Sequence, residues 1–186
     1  MRLIYPAPML MFVLLAAPAA AKEVAGVQVP EAATVNGAAL VLNGAGVRTR
    51  FFVKVYAGAL YLPSRQTTAA AAIAAPAPKS VRLHIVHDIS ADRLSAALND
   101  GFAENNTPAE LERLKERIQQ FAALIPAVRK GDVVRLDLLS EGTTEAWIND
   151  AKRGTIAGAD FQQALVKIWL GEKPVDKTLK QAMLGQ

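Results

Sequence analysis

The stretch Leu40–Leu62, LVLNGAGVRTRFFVKVYAGALYL, governs how this chain is read. From Phe51 to Leu62 its residues alternate with a strand's period of two. Phe51, Val53, Val55, Ala57, Ala59 and Tyr61 share one side, and Phe52, Lys54, Tyr56, Gly58, Leu60 and Leu62 the other. Both sides are mostly apolar, which predicts a central strand covered on both faces. Lys54 and Tyr56 are the polar exceptions, and the alternation puts them on one face. Just upstream, Gly44-Ala45-Gly46 offers a backbone that can turn at positive φ or approach another group closely. Arg48 follows at once.

Around this stretch the chain alternates strand and helix signals. Glu23–Val29 reads as a first strand ended by Pro30, and Ala38–Leu42 as a second. Pro63 stops the long strand. Thr67–Ala75 is alanine-rich and predicts a short helix closed by Pro76 and Pro78. Val81–Ile89 alternates as a strand. Ser90 then caps a helix running from Ala91 to about Glu104, with Leu94, Ala97, Leu98 and Phe102 inward. Thr107-Pro108-Ala109-Glu110 combines a threonine cap, proline at the first helical position and glutamate three residues after the cap. The helix it starts buries Leu111, Leu114, Ile118, Phe121 and Ile125, and its charged residues (Glu112 to Arg117) read as a solvated face. Val133–Leu139 and Thr143–Ile148 flank a turn at Ser140-Glu141-Gly142 and predict a hairpin. Ala159–Leu170 is an amphipathic helix stopped by Gly171, and Asp176 caps a last helix over Leu179, Met183 and Leu184. Hairpins with helices clustered between them predict an α+β class with a largely antiparallel sheet.

Composition bounds the function. The 186 residues suit one domain with a substantial core, and the net charge is +4. The basic residues are scattered, which argues against a nucleic-acid partner. With no cysteine, disulfides, thiolate zinc sites, cysteine catalysis and a lipidated bacterial N-terminus are excluded. Residues 1–21 read as a signal peptide: Arg2 supplies the positive charge, Met9–Ala17 the short apolar core and Ala19-Ala20-Ala21 the small-residue cleavage site. The apolar run falls short of the about 20 residues needed to span a bilayer. The expectation is cleavage before Lys22, a mature domain over residues 22–186 and a periplasmic location, without stable membrane insertion after cleavage.

Few residues offer chemistry. His84 and His87 are the only histidines, and their odd separation puts them on opposite faces of a regular strand, so no metal site is expected. His87-Asp88 lacks a serine elbow and reads as solvated polarity at a strand end. Gly44-Ala45-Gly46 lacks the third glycine of a dinucleotide loop, since Thr49 stands there, and no cofactor is expected. A bulge or tight approach within a sheet accounts for it better. Trp147 and Trp169 read as core. Arg48, Lys54 and Tyr56 have no evident structural duty. A buried guanidinium needs an anion. For Arg48 that anion is a ligand or an internal carboxylate, unless the side chain is exposed at a turn.

Leu42-Asn43-Gly44-Ala45-Gly46-Val47-Arg48, Phe52-Val53-Lys54-Val55-Tyr56-Ala57 and Leu60-Tyr61-Leu62 resemble the chalcone isomerase-like family. Ile156-Ala157-Gly158, Phe161 and Ile168-Trp169-Leu170-Gly171 resemble its secreted bacterial branch. The resemblance runs from about Val24 to Leu184 and implies an open sandwich: a large antiparallel sheet, helices on one face and a small-molecule cleft between them. It implies one of two functions, cyclisation of chalcones by an isomerase (an intramolecular lyase) or binding of fatty acids without catalysis. The arginine that holds substrate in the enzymes falls at Arg48. Tyr56 stands where the enzymes have threonine, as in the fatty-acid-binding branch. Their tyrosine and asparagine fall at Ser90 and Ala97, and their late threonine near Ile168. Only the arginine is kept, so no catalytic residues are assigned.

A straight strand from Arg48 to Tyr56 would separate them by about 26 Å. A shared head group therefore requires a turn near Thr49-Arg50. The expected function is an exported binder of a small apolar ligand such as a fatty acid, with Arg48 and Tyr56 as the ligand-binding residues. An isomerase acting on a phenolic substrate and a structural or partner-binding protein without a cleft are the alternatives. The leader makes a direct prediction: N-terminal sequencing of exported protein should begin at Lys22, and an intact Met1 would overturn it.

Overall fold

The computed structural model describes residues 21–186, so the leader expected at residues 1–21 lies, except for Ala21, outside the described residues. Seven strands form one antiparallel meander in chain order: β3 (Ala32–Val35), β4 (Ala38–Arg50), β5 (Val53–Leu62), β6 (Lys79–Ile85), β7 (Val133–Leu138), β8 (Thr143–Ile148) and β9 (Ala151–Ala157). A separate hairpin of β1 (Ala21–Val24) and β2 (Val27–Pro30) precedes them. The expected single strand over Glu23–Val29 is thus two, because Ala25 and Gly26 both take positive φ and fold the chain back.

Five helices complete the chain: α1 (Ala69–Ala74), α2 (Ala91–Asn105), α3 (Pro108–Leu124), α4 (Ala159–Leu170) and α5 (Lys177–Met183). The cap signals act as expected. Ser90 and Asp176 accept from the backbone N–H three residues on, and Thr107 and Glu110 close a full capping box. Thr68, not named as a cap in the sequence reading, does the same for α1. The class is α+β, an open sandwich with the helices on one face of the sheet.

Two apolar layers hold it together. The larger lies between the sheet and the helices and includes Tyr56, Leu60 and Leu62 of β5, Phe102 of α2 and Phe121 of α3. Eight of the twelve residues of α4 are buried, so this helix is the hub of the layer rather than a surface amphipath. Gly101 of α2 admits it closely: a Cβ there would lie 2.8 Å from Ile168 Cγ2. The smaller layer lies on the opposite face, where Val24 and Val29 of the β1–β2 hairpin join Ala57, Ala59 and Tyr61 of β5. β5 is therefore covered on both sides, as its alternation predicts.

The central stretch matches the sequence reading in one feature and differs in another. Gly44-Ala45-Gly46 is no turn but the tight approach within a sheet preferred for it. It lies inside β4, just after a bulge between Leu42 and Gly44. The chain turns instead at Phe51-Phe52, both at positive φ (47° and 66°), so β5 begins at Val53. Phenylalanine is a strong strand former and rare at such a turn, which is why the alternation reads straight through it. Two strands are absent from the sequence reading: the four-residue β3, and β9, which follows a tight turn with Asn149 at positive φ.

The glycines of β4 admit α5. A Cβ on Gly44 would sit 2.1 Å from the carbonyl oxygen of Ala182, and one on Gly46 would sit 2.4 Å from Ala182 Cβ. Gly44→Ala must therefore displace helix backbone rather than a side chain. Overpacking of this kind costs about 1–3 kcal/mol, and the rigid obstacle puts the variant at the upper end. Chemical denaturation should show that loss, and a change under about 0.5 kcal/mol, the level of a neutral surface change, would contradict the packing described.

Candidate functional site

The turn at Phe51-Phe52 brings Arg48 and Tyr56 opposite each other on β4 and β5. The distance problem posed by a straight strand is thus removed, although the chain turns two residues later than Thr49-Arg50. The Arg48 guanidinium carbon lies 5.6 Å from the centre of the Tyr56 ring. A register shift between Arg48 and Thr49 leaves Val55 as an extra residue on β5. Val55 packs with Tyr56 on the helix-facing layer, so the simple alternation that paired Lys54 with Tyr56 ends here. Lys54 is exposed.

A cleft of about 490 Å³ opens between this end of the β4–β5 hairpin and the start of α2. Its size falls within the about 300–1,000 Å³ typical of small-ligand sites. Val53, Val55, Ile89, Leu94, Ala96 and Ala97 supply its aliphatic lining. Arg48, Arg50 and Arg93 bring positive charge, and His87, Asp88 and Asp100 complete the polar part. A smaller cleft of about 190 Å³ shares Arg48, Arg50, Ala97 and Asp100 with it and continues towards Val175. Arg48 therefore stands at the junction of the two. No side-chain hydroxyl or amide lies on the wall of the larger cleft.

Arg48 is half-buried and forms no salt bridge among the described residues. The internal carboxylate that the sequence leaves open as its partner is not there. Thr49, its neighbour, donates its backbone N–H to Asp176 Oδ2 at 3.1 Å, which ties the end of β4 to the cap of α5. Tyr56 is buried and lies behind Arg48, outside the lining of the cleft. Its hydroxyl accepts a 2.9 Å hydrogen bond from Trp169 Nε1 of α4. Burial pushes the phenol above its usual range, and the positive charge of Arg48 pulls it part of the way back. The phenol is therefore neutral at physiological pH.

The remaining candidates fall in separate places. Ser90 caps α2, Ala97 lines the cleft, and Ile168 is core against Gly101. Trp169 is core, whereas Trp147 is only partly buried and carries Arg135 over its ring at 4.4 Å. His84 pairs in register with Ala57 on the far face of the sheet, while His87 lies beyond the end of β6 on the cleft wall. His87 and Asp88, read from sequence as mere strand-end polarity, thus belong to the cleft. Asp88 Oδ1 also accepts from the Lys130 backbone N–H at 2.8 Å. Among the described residues no group of three metal-ligating side chains comes together. Sequence reasoning missed Arg50, Arg93 and Asp100. Only the i, i+3, i+4, i+7 spacing of Arg93, Ala96, Ala97 and Asp100 marks a common helix face.

An antiparallel meander with helices on one face and a largely aliphatic cleft lined by three arginines define an open α+β sandwich. The chain belongs to the chalcone isomerase-like family, which it matches over residues 21–185. No protein of curated function matches it. Among solved structures it is similar to a fatty-acid binding protein of Arabidopsis thaliana, at 15% identity, with a TM-score of 0.65 over 86% of this chain and 92% of that one.

The Tyr56–Trp169 bond ties β5 to α4 behind the site, and it predicts a stability effect. Tyr56→Phe leaves the buried indole N–H without its acceptor, at a cost of about 1–3 kcal/mol. Urea unfolding followed by tryptophan fluorescence should show this loss. An unchanged midpoint would mean that the bond contributes nothing.

Proposed function

We propose that this protein binds a small apolar ligand with an anionic head, such as a fatty acid, without catalysing a reaction on it. The observation that carries the reading is Arg48: a half-buried guanidinium, unpaired by any carboxylate of the described chain, on the floor of a mostly aliphatic cleft. A carboxylate head would supply the missing anion, and the aliphatic wall would take the tail. Tyr56 acts through Arg48 in this reading. Its ring supports the guanidinium from behind, and the head group contacts the arginine alone. The fold likeness to a fatty-acid binding protein is consistent with this ligand class.

The isomerase alternative gains no support from the cleft. Orienting a phenolic substrate calls for hydroxyl or amide groups, and the wall has none. A purely structural role leaves the cleft and its cations unexplained. Export to the periplasm, in the manner of the family's secreted bacterial branch, is part of the proposal. A cut before Lys22 would remove only exposed Ala21 from β1 and keep Val24, its one buried residue.

Calorimetric titration with a long-chain fatty acid tests the reading. Charge-assisted bonds to arginine contribute about 1.5–3 kcal/mol, so Arg48→Ala should weaken binding roughly tenfold to a hundredfold. Arg48→Lys should recover part, since an ammonium cannot make the planar two-point contact. Equal affinity for the acid and its methyl ester would remove the anionic head from the proposal.

A further inference from the structure

The end of the β4–β5 hairpin carries the most exposed aromatic pair among the described residues. Phe51 is 84% exposed and Phe52 fully so, and Val53 beside them is also open to solvent. Both phenylalanines hold positive φ, a conformation that glycine and asparagine favour and that bulky residues rarely adopt. The fold therefore retains two large apolar side chains where turn chemistry disfavours them and where they reach no core. Basic side chains flank them. Arg50 is exposed with its guanidinium carbon 5.5 Å from the centre of the Phe51 ring, and exposed Lys54 stands across the turn in register with Thr49. The nearest carboxylates on the cleft, Asp88 and Asp100, belong to its other wall, before and within α2.

We propose that this hairpin tip docks onto an anionic lipid bilayer, with Phe51 and Phe52 at headgroup depth and Arg50 and Lys54 against the lipid phosphates. The shape of the tip selects this occupant. Two phenylalanines bury about 150–250 Å² each, well short of the about 800 Å² per partner of a specific protein interface. A bilayer demands no complementary shape, accepts aromatic rings at its interface and attracts basic side chains when its lipids are acidic. Arg50, Phe51 and Val53 also line the cleft, so the docked tip puts the mouth of the cleft at the bilayer surface. Passage of an acyl chain between bilayer and cleft without crossing water rests on the fatty-acid reading above. The docking itself does not.

Flotation of the purified protein with vesicles, in the absence of added fatty acid, tests the docking. The vesicles are phosphatidylcholine alone or an equal mixture with phosphatidylglycerol. Wild type should float with the acidic vesicles and much less with the neutral ones, and added salt should weaken binding. Phe52→Gly removes one ring, suits the positive φ and lies outside the cleft lining, so the protein stays folded. It should bind the acidic vesicles about tenfold more weakly. Lys54→Gln should cost roughly fivefold. Calorimetry in the absence of vesicles should give Phe52→Gly the fatty-acid affinity of wild type. Wild type that fails to float, or Phe52→Gly that floats equally well, overturns the proposal. So does wild type that self-associates in sedimentation velocity while Phe52→Gly stays monomeric, which would assign the tip to a second copy of the chain. A wild type that floats but binds no fatty acid removes the ligand reading and leaves the docking intact.

Discussion

The geometry of the cleft follows from how closely α5 sits on the central strands. Gly44 and Gly46 of β4 and Gly58 of β5 share the helix-facing side of the sheet, and each faces an atom of α5. Without side chains there, the helix lies against strand backbone rather than on top of a side-chain layer. Asn43 fastens the far end by donating to the Met183 carbonyl oxygen at 2.7 Å, and Asp176 fastens the near end through Thr49. The glycine row then ends at Arg48, the next residue on the same face. There α5 has run out, and the sheet surface it would cover is left to the cleft.

That arrangement accounts for the electrostatics of the site. A half-buried guanidinium usually recovers its lost hydration from a carboxylate. Here it has an aromatic face instead, worth about 0.5–2 kcal/mol and no neutralisation. Two other part-buried arginines are paired: Arg117 holds Asp160 at 2.7 Å, and Arg135 holds Asp137 at 3.0 Å. Arg48 thus keeps its capacity for an external anion. Tyr56 does not share that role, since it is buried behind Arg48 and does not line the cleft.

The helical part of the fold is legible in the sequence because its signals are local. A cap and the apolar spacing behind it lie within a few residues, so the expected bounds of α2, α3, α4 and α5 fall within a residue or two of where the helices stand. The strands are legible where hydrophobic alternation meets an ordinary turn, as at Ser140–Gly142. They are misread where a turn uses unusual residues, as at Phe51-Phe52, and β9 escapes notice because Ala151–Ala157 lacks apolar alternation and buries only Ile156. The site is half legible. Arg48 stands out as a cation without a structural duty. Arg50, Arg93 and Asp100 do not, because an exposed charge on a strand end or helix is ordinary until another element faces it.

Short-range periodicity and local hydrogen bonding are enough for the α+β class, the helix boundaries and the two-sided burial of β5, and the motifs around Leu42–Leu62 carry the family resemblance; all of these can be read from the residues alone. Long-range packing was needed to make the glycine pair a seat rather than a turn, and to make Arg48 and Tyr56 cross-strand neighbours. It also set one of them facing the cleft while the other is held from behind by Trp169. Those outcomes depend on which backbone approaches which across the sheet. Residues as far apart as Gly44 and Ala182 enter that approach, and no local pattern records it.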